Sequence, residues 1–426
     1  MTTQKIKNLF SISVVLLLIS CKAPIHIGTY KKNLADVYNP GSSRIHPSFT
    51  VYHSENNISI LFIKIFPSEL LFSQANSTAE YVARISIHYE LNQINDNKKN
   101  ELADSSTYIF TLKKEDAKQR FITQIPIKAD TGKIYDLKIT SSDMLRNNSN
   151  IKFLMVDKRS EYSQQNFLVK NRDGSPYFSP FVLGNSLFRI EHRRNNIDSI
   201  YIKYYKNNFP LPRPTFYVAS EEKYYEKPDS TWKIPFSRNR LYQFNYQGMF
   251  YIQLDTAFKE GLSVFNYGSD FPKVENPEEM VGPLAYISTS AEYKDLLDAS
   301  NQKLSIDNFW LKAGGSTDRA RELIRIYYNR VYFANYYFTS NRPGWKTDRG
   351  MIYIVYGPPQ NMHRSSGEET WIYYRKGDSS SITFTFDYVP SPYTLDNFVL
   401  RRSENYDWHW RDAVNSWRSG KVYLID

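Results

Sequence analysis

Between Gly350 and Gly357-Pro358-Pro359 stand six consecutive apolar or aromatic residues, Met351-Ile352-Tyr353-Ile354-Val355-Tyr356. A run with no polar position has no face to offer to water, so it must be covered on every side. Gly357 and the two prolines cannot continue a hydrogen-bonded ladder, and they end the element. Upstream, Pro343 terminates whatever helix precedes it, because it has no N–H and restricts its neighbour. Gly344 permits a sharp bend, and Trp345 offers a large apolar face that can lock the bend onto a core. Thr347 and Asp348 can bond nearby backbone N–H groups, and Asp348 and Arg349 can form charge-assisted bonds with neighbouring elements. Gly350 allows close backbone packing. The expectation is a tight corner feeding a buried β-strand from Met351 to Tyr356.

The same residues carry a family likeness. Gly344-Trp345-Lys346-Thr347-Asp348 resembles the signature of the GWxTD-domain family of bacterial envelope proteins of Bacteroidetes-type organisms. The match continues through Arg349-Gly350, Tyr353-Ile354 and Tyr356-Gly357-Pro358-Pro359. Upstream it takes in Phe309-Trp310 and Arg330-Val331-Tyr332-Phe333-Ala334-Asn335, about the last third of the chain. The resemblance implies a fold and an envelope location and brings no established activity. On this reading Gly344, Trp345, Thr347, Asp348, Arg349 and Gly350 are structural residues.

The N-terminus points to the same compartment. Lys5 and Lys7 precede an apolar stretch from Leu9 to Ile19, too short to span a bilayer comfortably and suited to a signal segment over residues 1–20. Leu18-Ile19-Ser20-Cys21 resembles a lipobox, in which the cysteine carries the lipid (palmitate among its acyl chains) of an outer-membrane lipoprotein. Cys21 is the only cysteine in the sequence, so no intrachain disulfide can form and no other thiol remains for chemistry. Residues 21–47, with Asn39-Pro40-Gly41-Ser42-Ser43, read as a tether.

The formal charge is +10, but the basic residues are scattered in pairs such as Lys113-Lys114, Arg193-Arg194 and Arg401-Arg402. Nucleic-acid binding needs a concentrated basic footprint, and none is present. Strand-like alternation begins at Phe49 and recurs at Ile58–Ile63, Ala83–Tyr89, Thr107–Leu112, Ile134–Ile139 and Ile151–Val156, with turn signals such as Asn95-Asp96-Asn97 between. This predicts an immunoglobulin-like β-sandwich over 48–157. The rhythm restarts after Asn171-Arg172-Asp173-Gly174, predicting a second sandwich over 158–282.

From Pro283 the pattern turns helical. Ala320, Leu323, Ile324, Tyr327, Val331, Ala334 and Phe338 recur at the spacing of one apolar helix face, with Ser316 or Thr317 as cap. Trp371–Tyr374 and Ile382–Phe386 then read as a hairpin turning at Gly377-Asp378-Ser379-Ser380. The chain is thus expected to be multidomain and mainly β, with two immunoglobulin-like sandwiches followed at 283–426 by a GWxTD-like α+β domain of helices on an antiparallel sheet.

For chemistry the residues offer three readings. The first is a non-catalytic binding or assembly role for an envelope lipoprotein with an envelope protein partner and no cofactor. The second is a hydrolase of envelope polymer or peptide, pairing His363 or His409 with Asp348, Asp387 or Glu369. None of the common nucleophile, zinc-protease, P-loop or dinucleotide motifs occurs, and the seven histidines never reach metal-ligand spacing, so no metal site is expected. The third is glycan binding by Tyr406, Trp408, Trp410 and Trp417, in a chain whose residues are 16% aromatic.

Overall fold

Several strands of the first module bury every second residue, as along Ile58–Ile65, so each sheet has one face to cover. The computed structural model describes residues 32–77, 79–95, 100–206, 209–218, 227–374 and 381–423. The expected signal segment, Cys21, the tether through residue 31 and most of the turns at 95–97 and 377–380 lie outside the described residues.

Seven strands build the first module: β1 (Ser48–Tyr52), β2 (Ile58–Ile65), β3 (Val82–Ile94), β4 (Asn100–Lys113), β5 (Phe121–Lys128), β6 (Ile134–Asp143) and β7 (Asn148–Asp157). Sheet β1-β2-β5 faces sheet β4-β3-β6-β7, all antiparallel, around a core that includes Leu61, Ile63, Ile87, Leu91, Ile127 and Leu137. This is an immunoglobulin-like order with the fourth strand placed beside the third rather than in the opposite sheet.

The second module comprises β8 (Phe167–Asn171), β9 (Phe181–Val182), β10 (Phe188–His192), β11 (Ser199–Lys206), β12 (Ser230–Pro235), β13 (Gly248–Gln253) and β14 (Leu262–Asn266). A two-stranded β10-β8 sheet packs on a five-stranded sheet of order β12-β11-β13-β14-β9, in which only the short β14–β9 pair is parallel.

Two buried histidines lie where these modules meet. The Nε2–H of His53 donates to the Asp157 carbonyl (3.0 Å), which leaves Nδ1 to accept from the Ser59 hydroxyl (2.8 Å). His192 Nδ1 accepts the Arg194 backbone N–H (3.0 Å). Burial first, then the neighbouring Lys158 and Arg193 charges for His53 and the Arg194, Arg193 and Arg238 charges for His192, hold both imidazoles down to about 4, well below 6.5. A depressed folded pKa means that the unfolded chain takes up the proton first. The stability is therefore full above about pH 6.5 and falls with the pH towards the folded value. Each histidine is expected to cost about 2 kcal/mol between about pH 6.5 and 5, above the main carboxylate range. His46, whose pKa is raised chiefly by its hydrogen bond to Glu69, works weakly in the opposite sense. Urea midpoints measured across this window should fall; a flat profile contradicts the assignment.

The C-terminal domain contains α1 (Pro277–Val281), α2 (Ser290–Asp298), α3 (Gln302–Gly314), α4 (Thr317–Phe338) and α5 (Asp348–Tyr356). These are followed by β15 (Asn361–Ser365), β16 (Glu368–Tyr374), β17 (Ser381–Tyr388), β18 (Phe398–Leu400) and α6 (Asp407–Arg418). Its strands form a sequential antiparallel sheet. Ser316 caps α4 by accepting the Arg319 N–H, and the expected stripe from Ala320 to Phe338 faces the core, with Ile324 at its margin. No helix among the described residues is long and apolar enough to cross a membrane.

Two expectations are corrected. Met351–Tyr356 is not a strand but the body of α5, whose residues from Arg349 to Tyr356 are all buried. A helix covered all round and a strand covered on both faces give the same unbroken apolar run. Here the Thr347 side chain decides, capping the first turn by accepting the Gly350 N–H (3.0 Å). At the other end Arg330 donates to the Ile354 and Val355 carbonyls, and the Trp417 indole N–H also donates to Val355.

The second correction concerns the tether. From Leu34 onward it is packed, not free: Leu34, Ala35 and Tyr38 are buried in the C-terminal core and Ile45 in the first sandwich. The Leu34 N–H donates to the Met362 carbonyl (2.9 Å), and the Tyr38 ring sits 4.8 Å from that of Phe338. A single 3-10 turn, Ala35–Tyr38, is too short to leave a periodic signal in the sequence.

Candidate functional site

The corner from Pro343 to Gly350 lies across α4. The Gly344 N–H donates to Thr339 Oγ1 (3.1 Å), and a Cβ at Gly344 would stand 2.0 Å from the Ala334 carbonyl oxygen, so backbone rests on backbone. Asn335 fixes the next residue: its Oδ1 accepts the Trp345 N–H (3.0 Å) while its Nδ2 donates to the Pro272 carbonyl (2.9 Å). The Trp345 indole lies against Gly282, and the Tyr286 hydroxyl donates to the Trp345 carbonyl (2.6 Å). Thr347 Oγ1 donates to the Gly344 carbonyl (2.7 Å) as it caps α5. Gly350 sits where a Cβ would meet that same carbonyl at 1.9 Å.

Asp348 and Arg349 leave the corner in different directions. The Asp348 carboxylate takes a fork from Arg402 (2.5 and 3.1 Å) and the Leu400 backbone N–H (2.8 Å). Arg402 also donates to the Arg213 carbonyl in the second module (3.0 Å). Asp348 therefore pins the edge of β18 and, through Arg402, the second module.

Arg349 enters a chain of alternating charge, Asp396, Arg349, Glu369, Arg364, Asp136, whose members are buried except for the half-exposed Asp396. Arg349 reaches Asp396 at 2.7 Å and Glu369 at 3.4 Å; Arg364 bonds Glu369 directly and approaches Asp136 at 3.7 Å. The Tyr38 hydroxyl donates to Glu369 (3.0 Å), and Phe398 lies under both guanidiniums. Burial alone would lower both arginine pKa values, but Asp396 and Glu369 outweigh it for Arg349, and Glu369 and Asp136 for Arg364, so both are raised. Burial pushes the Asp136 carboxyl up, against the pull of Arg364. Asp136 belongs to β6, Tyr38 to the N-terminal segment and the rest to the C-terminal domain, so this one chain of charges joins three parts of the sequence.

Two cavities flank Arg349. One of about 370 Å³ lies where the modules meet, bounded by Tyr38, Lys152, Phe167 and Arg364 among others. The other, an open cleft of about 850 Å³, lies between the outer face of the five-stranded sheet and the C-terminal domain.

The catalytic pairing weighed above is not assembled. Arg364 and Glu369 are register partners with buried side chains, whereas the neighbouring His363–Thr370 pair is half-exposed, so successive residues place His363 and Glu369 on opposite faces. Among the described residues the His363 side chain makes no hydrogen bond or ion pair, and Asp387 is engaged by Arg401 (2.5 Å). No group of three or more His, Cys, Asp or Glu residues fit to hold a metal occurs among the described residues. Nor do the tryptophans form a platform. Helix α6 buries Trp410 and Trp417 and leaves Trp408 60% exposed against His409. Nothing in the local sequence marks Tyr38, Asp136, Arg364 or Asp396 for this role, and Glu369 stands out there only as a proton-transfer partner.

The family model described as the GWxTD domain matches residues 248–419. Residues 248–419 are a GWxTD domain. Its match begins at β13, so it takes in the last strands of the second module as well as the helical part. No curated protein matches the chain. Among solved structures, Bacteroides uniformis β-glucuronidase 2 bound to a cyclophellitol-6-carboxylate aziridine has 10% identity and a TM-score of 0.18, covering 32% of this chain and 16% of that one. A calcium-binding mutant of the same enzyme gives 9% and 0.17, over 33% of this chain and 16% of that one. The chain thus spans about a sixth of the enzymes' length, and at these scores the likeness carries no argument.

Proposed function

We propose that this chain is a lipid-anchored protein of the bacterial cell envelope, held at the outer membrane through Cys21, with a non-catalytic binding or assembly role towards an envelope partner. The observation that carries this reading is the commitment of the signature's polar groups. Thr347 is spent inside the corner as the α5 cap, while Asp348 and Arg349 are spent on Arg402, Asp396 and Glu369, whose further contacts with Arg213, Tyr38 and, through Arg364, Asp136 reach the neighbouring modules, and the feature left open beside them is the broad cleft. The signature builds a joint, and the modules it joins present a surface.

Native purification in mild detergent, with crosslinking and mass spectrometry, tests this. A partner in fixed ratio is expected for both the wild type and His363→Ala, while Cys21→Ser should move from the membrane to the soluble fraction. A chain that comes out alone contradicts the binding role. A stably folded His363→Ala chain that has lost its activity in the cell turns the reading towards a hydrolase.

A further inference from the structure

The floor of the large cleft is the outer face of the two central strands of the second module. Lys203 and Tyr205 on β11 share that face with Tyr251 and Gln253 on β13, Lys203 standing opposite Tyr251 in the register. Its roof is the loop 389–397 between β17 and β18, whose Tyr393 ring packs 4.9 Å from Tyr251. Its volume of about 850 Å³ is in the range of small-ligand sites.

Three properties of the lining narrow the ligand. The first is charge: Lys203, Arg213, Lys259, Arg342, Arg349 and Arg402 face only Asp348 and Asp396, a formal excess of four positive charges. Arg349 and Arg402 are spent on those carboxylates, whereas among the described residues Lys203 and Lys259 have no carboxylate within 4.0 Å. The second is open aromatic surface: Tyr217 is 54% exposed, and Phe258, with one face stacked on Tyr162, is 41% exposed. The third is the lack of a free strand edge. β11 and β13 are paired on both sides, and the outer edge of β18 is closed where the Leu400 N–H bonds Asp348. An extended peptide gains much of its affinity by adding to an open edge, and this cleft offers none. A ring-built polyanion needs only the side chains.

We propose that the cleft binds a segment of carboxylated polysaccharide, with sugar rings on Tyr217 and Phe258 and carboxylates at Lys203 and Lys259. This rests on the binding reading above and names its ligand class. The test is calorimetric titration of the full chain in mild detergent with polygalacturonate oligosaccharides, dextran and poly-glutamate. Polygalacturonate is expected to bind, more weakly as salt rises, and dextran not to bind. The pair Lys203→Gln and Lys259→Gln should lower the affinity roughly tenfold, and Tyr217→Ala should lower it with the charges intact. Equal binding of dextran, tighter binding of poly-glutamate, or indifference to these substitutions overturns the proposal. If polygalacturonate fails while crosslinking still places an envelope partner on the chain, the ligand class falls and the binding role stands. If both fail, both fall.

Discussion

Replacing Gly350 with alanine is expected to destabilise the chain by more than about 3 kcal/mol. The added Cβ would stand 1.9 Å from the Gly344 carbonyl oxygen, and the obstacle is main chain, which no rotamer change can move aside. That carbonyl already accepts the Thr347 hydroxyl and the Thr347 N–H, so displacing it also undoes the α5 cap. Gly344→Ala should act alike, because its Cβ would meet the Ala334 carbonyl at 2.0 Å and lift the corner off α4. Gly367→Ala is the control: its Cβ meets nothing within 4 Å, and the change should stay within about 0.5 kcal/mol. Urea unfolding of the three variants checks this, and a Gly350→Ala chain as stable as wild type contradicts the close-packed corner.

The second large effect is expected at Glu369. Its carboxylate is fully buried and shared by Arg349, Arg364 and the Tyr38 hydroxyl. Glu369→Gln removes the charge between two buried guanidiniums and leaves them facing each other. Breaking one partner of a buried pair costs about 3–5 kcal/mol, far more than the pair itself adds over an apolar alternative. The loss should not stay in the GWxTD domain, because Arg364 also faces Asp136 of the first sandwich and Tyr38 belongs to the N-terminal segment. Urea midpoints should show a loss of this size; a change under about 1 kcal/mol would mean that solvent reaches the pair and screens it.

What the sequence disclosed follows the length of the signal each element leaves. Helix α4 carries its apolar stripe over about five turns, and strands such as Ser48–Tyr52, Ile58–Ile65 and Val82–Ile94 alternate cleanly, so both are legible. α5 misleads because burial on every side removes the polar positions that would give its period. The turn at Ala35–Tyr38 is too short to have a period at all. The corner's residue types pointed to a locked bend, and the structure supplies their partners. Those partners, Arg402, Asp396, Glu369 and Asn335, lie on four different elements or loops, and only the folded chain brings them together. The alternating charges were illegible for the same reason: nothing local marks Asp136 in β6 as the end of a chain of charges that begins at Asp396. The cleft is hidden too, since its floor and roof come from separate modules.

The central claim is that the GWxTD corner and the charges beside it hold the modules together. Hydrogen–deuterium exchange of wild type and Glu369→Gln, read peptide by peptide, tests it most directly. Faster exchange is expected in the variant not only around α5 and β16 but also across Ile134–Asp157 and residues 34–45, the parts tied in by Asp136 and Tyr38. Faster exchange confined to the GWxTD domain, with the first sandwich and the N-terminal segment unchanged, would contradict the account.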